Sequence, residues 1–286
     1  MNNLRSTLKK NSDFIKKTVC PLNGLVNNKI EIVQFHISDT CNLNCKHCSH
    51  FSPLCKPREY NKYSLYKDLK QLAKLTQDNP LKDLGILGGE PLLNKDITFY
   101  IRECRKLFPT TAITIISNGL LVTKMPKRFF QALVKYNVAL VMTKYFEDDF
   151  YKPIIDLLKS YGVIYAFTPD RFGSMGFVSC KLTRNPKLTK EEAWDLCPTK
   201  NSCVFLQDGR LYSCPSIPFR KQAIDYFKEN IPTFNEGIDI YMNTYNEIVE
   251  QLQQPKESCR YCSDDTFKCI YFHSLATYEK KDYIEE

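Results

Sequence analysis

Residues 31–48 read EIVQFHISDTCNLNCKHC. The first seven, 31–37, are a β-branched and aromatic run that suits a buried strand. Cys41, Cys45 and Cys48 follow in C-x3-C-x2-C spacing, so three thiolates project from a loop at the carboxyl end of that strand. Three soft ligands without an obvious fourth suit two kinds of centre. A structural zinc would need His47, His50 or Cys55 to close its tetrahedron. An iron-sulfur cluster held by three cysteines would leave one iron open for a substrate or cofactor.

Downstream of this loop, short β-branched runs alternate with longer segments of helical period, the pattern of repeated βα units. It predicts strands at 83–87, 112–116, 138–142 and 163–167, with helices at 65–75, 97–107, 126–136 and 151–161. In the last helix Ile154, Ile155, Leu157, Leu158 and Tyr161 recur at helical spacing, and Gly162 stands where a left-handed cap is common. Parallel strands buried on both faces would explain the uninterrupted apolar runs, and a right-handed βα series curls into an open or closed barrel. Five units are visible, which makes a partial barrel of α/β class.

The rhythm continues without a linker to about residue 170, where 171–190 turns rich in Gly, Ser, Lys and Arg. This divides the chain into an N-terminal extension (1–30), a partial barrel (31–170) and a cysteine-rich part (171–286). Within the last, 203–214 reads as a hairpin, with Val204, Phe205 and Leu206 leading into Asp208-Gly209 and out through Leu211 and Tyr212. That register puts Cys203 opposite Cys214, about 5 Å apart at Cβ, where both thiols can grip one centre.

The chain has 286 residues, 43% hydrophobic and 25% charged, which excludes disorder, collagen and coiled coil. Its net charge of +8 comes from scattered lysines and favours an anionic substrate only weakly. No apolar run approaches the roughly 20 residues of a membrane span, and the start lacks the apolar core of a secretory signal. A cytoplasmic protein without membrane or nucleic-acid partners is expected. In a reducing compartment its 13 cysteines are not a disulfide framework, and metal or cluster ligation is the leading reading.

Nine of the cysteines fall into three groups: Cys41, Cys45 and Cys48; Cys197, Cys203 and Cys214; Cys259, Cys262 and Cys269. Cys20, Cys55, Cys104 and Cys180 read as small buried residues. His36, inside the first strand, reads as a core histidine, and His50 is open. Lys144, Tyr145, Asp170 and Arg171 follow strands four and five, so they would face the substrate mouth, and read by default as solvated loop residues.

Three motifs end three successive strands: Cys41-x3-Cys45-x2-Cys48, then Gly88-Gly89-Glu90-Pro91, then Ser117-Asn118-Gly119. Together they resemble the radical S-adenosylmethionine (radical SAM) superfamily. The resemblance implies a partial (βα)6-type barrel in which Cys41, Cys45 and Cys48 hold a 4Fe-4S cluster whose open iron is chelated by S-adenosylmethionine. It further implies that Gly88 and Gly89 let backbone approach the methionine moiety, with Glu90 near its ammonium. Ser117, Asn118 and Thr143 would reach the ribose and carboxylate. His47 stands where the family often has an aromatic residue.

The cysteine-rich part resembles the SPASM/Twitch extension of that superfamily, which binds auxiliary iron-sulfur clusters. Cys197-x5-Cys203 and Gly209-x4-Cys214 match the first half of its pattern, and Cys259-x2-Cys262-x6-Cys269 resembles the second, with His273 at the next cysteine position. Six thiolates are too few for two fully Cys-ligated 4Fe-4S clusters, so one auxiliary 4Fe-4S cluster is implied. Its expected ligands are Cys203, Cys214, Cys259 and Cys262, with Cys197 as the replacement for Cys203. A small carbohydrate-like or amino-acid substrate is favoured over a ribosomal peptide, because 1–30 is too short for a peptide-recognition domain. A flavodoxin or ferredoxin is the implied electron donor. The alternatives are a non-catalytic zinc-thiolate protein and a glycyl-radical-enzyme activase.

Overall fold

The computed structural model describes residues 24–58, 60–168, 176–178, 181–202, 204–267, 270–272 and 275–285. Its centre is an eight-stranded sheet. Strands β1 (Ile32–His36), β2 (Asp83–Leu87), β3 (Ala112–Ser117), β4 (Val138–Met142) and β5 (Tyr165–Phe167) pair in sequence order, each parallel to the next. Between them run α1 (Lys62–Leu75), α2 (Ile97–Leu107), α3 (Lys127–Lys135) and α4 (Asp148–Tyr161). The local signals behave as the sequence suggests. Asn61 caps α1 by accepting from Tyr63 N (3.0 Å) and Ser64 N (3.3 Å). Gly162 ends α4 at φ 71°, a left-handed conformation that glycine adopts without a Cβ clash.

The hairpin is present, formed by β6 (Val204–Gln207) and β7 (Arg210–Tyr212) around Asp208 and Gly209, both at positive φ. Its first strand is more than a hairpin arm. It pairs in parallel with β1, Val33 opposite Val204 and Phe35 opposite Leu206, and so becomes the sixth parallel strand. This strand lies beside β1 rather than beyond β5, and β7 and then β8 (Ile238–Asp239) extend the sheet outward from it. The outer edge of β1 would otherwise present unpaired N–H and C=O groups, and β6 satisfies them. The sheet is an open one: among the described residues no ladder joins β5 to β8.

Alternation along the strands separates two faces. Val33, Phe35, Leu84, Ile86, Ile113, Ile115 and Leu140 share one core with Leu69 and Leu72 of α1, Ile101 of α2, Phe130 of α3 and Leu158 of α4. Leu206, Leu211, Ile238 and the helix α7 (Tyr245–Leu252) join the same core, so the segment from 204 to 252 is continuous with the sheet. On the other face α6 (Ser216–Phe227) lays Phe219 and Ile224 against Leu87 and Phe205, together with Phe51, Leu54, Leu182, Tyr283 and Ile284. This second layer reaches β1, β2 and β6, and β3 at Ile116. Thr114, Ile116, Ala139 and Val141 of β3 and β4 are only half-buried on that face, so the strands expected to be buried on both faces alternate instead.

The helix α5 (Lys190–Leu196) begins at a capping box between Thr189 and Glu192 and leads into Cys197. Among the described residues no helix is long and apolar enough to cross a membrane.

Candidate functional site

The ladder between β1 and β2 continues beyond both strands. Ile37 N donates to Leu87 O (2.9 Å), Gly89 N to Ser38 O (2.7 Å) and Glu90 N to Thr40 O (2.9 Å). The two following loops therefore run side by side. A Cβ on Gly88 would lie 2.3 Å from Ser38 O, and one on Gly89 would lie 2.4 Å from Thr40 O. The room these glycines leave is taken by the chain's own backbone, that of the residues leading into Cys41.

Glu90 is fully buried and accepts from Leu92 N (3.0 Å), Ser117 Oγ (2.8 Å) and Asn118 N (2.9 Å). Burial pushes its carboxyl above the usual range, and these three donors oppose the shift. The carboxylate thus ties the ends of β2 and β3 together. Asn118 carries the tie to the cysteine loop, donating from Nδ2 to Asn42 Oδ1 (2.8 Å) and towards Cys41 Sγ (3.7 Å). Thr143 N donates to Ser117 O (2.9 Å), which adds the end of β4. Four strand ends converge on one rim.

Cys41, Cys45 and Cys48 act electrostatically on one another at that rim. Burial pushes the Cys41 thiol up to about 12, and Glu90 and Cys48 add to this against a hydrogen bond from Leu43 N. Burial and the neighbouring Cys48 and Cys41 also raise the Cys45 thiol. Ionising both Cys41 and Cys45 in this crowded, buried place calls for a cation, which is what ligation supplies. Tyr145 escaped the sequence reading as a solvated loop residue. Its hydroxyl donates to Cys45 Sγ, and burial beside Cys45 and Cys48 raises its own pKa well above the ordinary value. Its place two residues beyond Thr143, at the end of β4, was the available signal.

The chain's last described residues close over this loop. Ala276 N donates to Asn44 O (2.8 Å), and Leu275 bridges Cys45. Lys46 pairs with the buried Asp282 at 2.7 Å, and Asp282 also accepts from Thr277 N (2.8 Å) and Oγ1 (2.7 Å). His47 is buried at φ 64°; burial, with Lys46 and Lys181 nearby, pushes its imidazole down to about 4, so it is neutral. His36 is a packed core residue, stacked on Phe219 with ring centres 4.4 Å apart and its Nδ1 2.9 Å from Asp39 Oδ1. The half-buried His50 sits edge-on to it. Cys55 donates to the carbonyls of Phe51 (3.5 Å) and His50 (3.6 Å), and Cys104 is core within α2.

A second group of thiols gathers beside α6. Cys197 at the end of α5, Cys214 ahead of α6, Cys259 in the turn Glu257–Tyr261 and Cys262 after it act electrostatically on one another. Cys197, Cys259 and Cys262 also pack around the same small apolar cluster of Ala193 and Leu196. Cys20, Cys180, Cys203, Cys269, His273, Asp170 and Arg171 lie outside the described residues. In neither group, among the described residues, do three His, Cys, Asp or Glu side chains gather to hold one metal ion. One tetrahedral zinc would bring its sulfurs within about 3.8 Å of each other, whereas a cluster takes one thiolate on each separate iron. At both places the donors fit an iron-sulfur centre: thiols alone, with amide and phenol donors turned towards the first set.

The Radical SAM superfamily profile matches residues 35–165. The GTP 3',8-cyclase of Aliarcobacter butzleri (strain RM4018) is 32% identical over 114 residues, 39% of this chain and 35% of that protein. The GTP 3',8-cyclase of Clostridium acetobutylicum is 33% identical over 114 residues, again 39% and 35%. The chain thus spans about 35% of these relatives' length. The solved structure of histidine-tagged anSMEcpe with bound AdoMet superposes with a TM-score of 0.50 at 12% identity, covering 84% of each chain, a likeness of fold. Over residues 35–165, with the cysteine loop following the carboxyl end of the first parallel strand, the chain carries a radical SAM domain, and proteins of that superfamily bind S-adenosylmethionine and a 4Fe-4S cluster.

Proposed function

We propose that Cys41, Cys45 and Cys48 hold the 4Fe-4S cluster and that Gly88, Gly89, Glu90, Ser117, Asn118 and Thr143 border S-adenosylmethionine. The reading rests on one observation, the convergence of the loops after β1, β2, β3 and β4 on a single rim around three thiols. When bound, the cluster and S-adenosylmethionine supply the electron for reductive cleavage and a 5'-deoxyadenosyl radical that takes a hydrogen atom from substrate. The chain's own residues set the stage. Glu90 and Asn118 lock three loops into one register, and Tyr145 and Asn118 turn donors towards sulfur. Residues 275–285 cover the cysteine loop and keep water from it.

The substrate we favour is a small carbohydrate-like or amino-acid molecule, and the donor a flavodoxin- or ferredoxin-type protein. The half-buried face of β3 and β4 leaves part of the sheet uncovered and suits a small substrate. We further assign one auxiliary 4Fe-4S cluster to Cys197, Cys214, Cys259 and Cys262, the four described thiols that converge. Cys203 remains part of the same proposal as a neighbour in sequence.

Anaerobic reconstitution tests this directly. The expected result is about eight irons per chain, with 5'-deoxyadenosine formed from S-adenosylmethionine after dithionite reduction. About four irons, with cleavage lost in Cys45→Ala, would keep the enzyme and remove the auxiliary cluster. Zinc without iron, and no cleavage, would overturn the whole reading.

A further inference from the structure

Arg220 sits on α6 with its side chain turned into the protein, 3% exposed. Its Nη1 donates to Ser258 O, and its Nη2 to Ser216 Oγ (3.4 Å) and towards Cys262 Sγ (3.9 Å). Nε has no partner among the described residues. The acid that acts on it, Glu236, is occupied by Ser258 N at 3.3 Å and by Ser258 Oγ. Cys262, Cys214 and Cys259, ahead of Glu236, are the groups whose charge acts on it.

A cation removed from water is tolerated when an anion answers it, and a neutral thiol is a poor answer. Glu236 answers part of that charge, and four ligated thiolates beside Arg220 would answer the rest.

We infer that Arg220 is the fixed counter-charge of the thiolate centre formed by Cys197, Cys214, Cys259 and Cys262, and that it raises the reduction potential of that centre. This rests on the auxiliary-cluster assignment made above. Reduction adds one negative charge, and a buried positive charge beside Cys262 favours the reduced form over the oxidised one. Arg220 is a positioning residue, acting through the sulfurs and not on substrate.

The test uses the full chain in a Cys41→Ala, Cys45→Ala, Cys48→Ala background, which removes the first cluster and leaves the second as the sole source of signal. Iron per chain and an EPR redox titration are measured with Arg220, Arg220→Lys and Arg220→Gln. The expected result is a potential at least about 59 mV lower in Arg220→Gln, a tenfold change in the reduced-to-oxidised ratio for one electron. Arg220→Lys should recover most of that loss. Retention of iron by Arg220→Lys and its loss by Arg220→Gln would equally support the charge. Equal potentials in all three proteins, or equal iron loss in both variants, would overturn the inference while the centre stands. No iron in the background itself would remove the auxiliary centre, and the inference with it.

Discussion

Replacing Gly89 by alanine separates two roles for that glycine. A Cβ there would stand 2.4 Å from Thr40 O, 2.5 Å from Thr40 C and 2.6 Å from Asp39 O, all backbone atoms. A carbon meets a carbonyl oxygen comfortably at about 3.3 Å, so the loops after β1 and β2 must part by roughly 0.9 Å. That displacement stretches Gly89 N to Ser38 O, now 2.7 Å, and Glu90 N to Thr40 O, now 2.9 Å, beyond hydrogen-bonding range. Two hydrogen bonds at about 1 kcal/mol each, with about 1 kcal/mol or more of overpacking, give a loss of about 3 kcal/mol. For a chain of this size the apo-protein should melt roughly 6 to 12 °C lower. Because Thr40 precedes Cys41, iron retained after reconstitution should fall as well. Thermal melting of the apo-protein, iron per chain and S-adenosylmethionine binding are the three measurements. If Gly89 served only to admit the methionine moiety, melting and iron content would match wild type and binding alone would weaken. That pattern would refute the packing role of this glycine.

Asp282 should show its ion pair in the pH dependence of stability. Burial opposes ionisation, but Lys46 and Thr277 hydrogen-bond the carboxylate and bring its pKa from 3.8 to about 2. A depressed folded-state pKa stabilises above the unfolded value and loses that contribution as pH falls through the folded one. Asp282→Asn should therefore cost about 2 kcal/mol at neutral pH, with roughly half of the gap to wild type closed near pH 3. Urea midpoints of the two apo-proteins between pH 7 and 3 check this, and parallel curves would count against it. Tyr145→Phe removes the hydroxyl at Cys45 and should lower the first cluster's potential with iron content kept. An EPR titration that finds the potential unchanged would take Tyr145 out of the sulfur's environment. Gly162→Ala meets nothing within 4 Å, so the left-handed backbone alone should cost about 1 kcal/mol, read as a small melting shift with 5'-deoxyadenosine formation unchanged.

The local signals in the sequence were strong where the structure is local. The strands at 83–87 and 138–142 and the helix at 97–107 have the expected bounds, since periodicity of two or 3.6 reflects which side of a single element is buried. The helical cap at Gly162 and the turn at Asp208-Gly209 are also legible, because positive φ selects a short list of residues. The contribution of β6 to the parallel sheet was not legible. Val204–Gln207 has the same pattern as a hairpin arm and as a strand with partners on both sides, and its second partner lies far back in the chain at β1. Tyr145 carries no mark in sequence of its distance from Cys45. Arg220 sits on a helix where lysine and arginine usually face solvent, so its burial among thiols has no sequence signature.

The sequence by itself determined the class of fold and marked out the proposed ligands, because a βα rhythm and cysteines at fixed spacing are properties of contiguous stretches. Tertiary structure alone decided which of them meet. It brought Cys197 to Cys214, Cys259 and Cys262, laid 275–285 over the cysteine loop and filled the space beside Gly88 and Gly89 with the chain's own backbone. The physical reason is that such contacts depend on edges, volumes and charges contributed by residues distant in the chain, which no local pattern records.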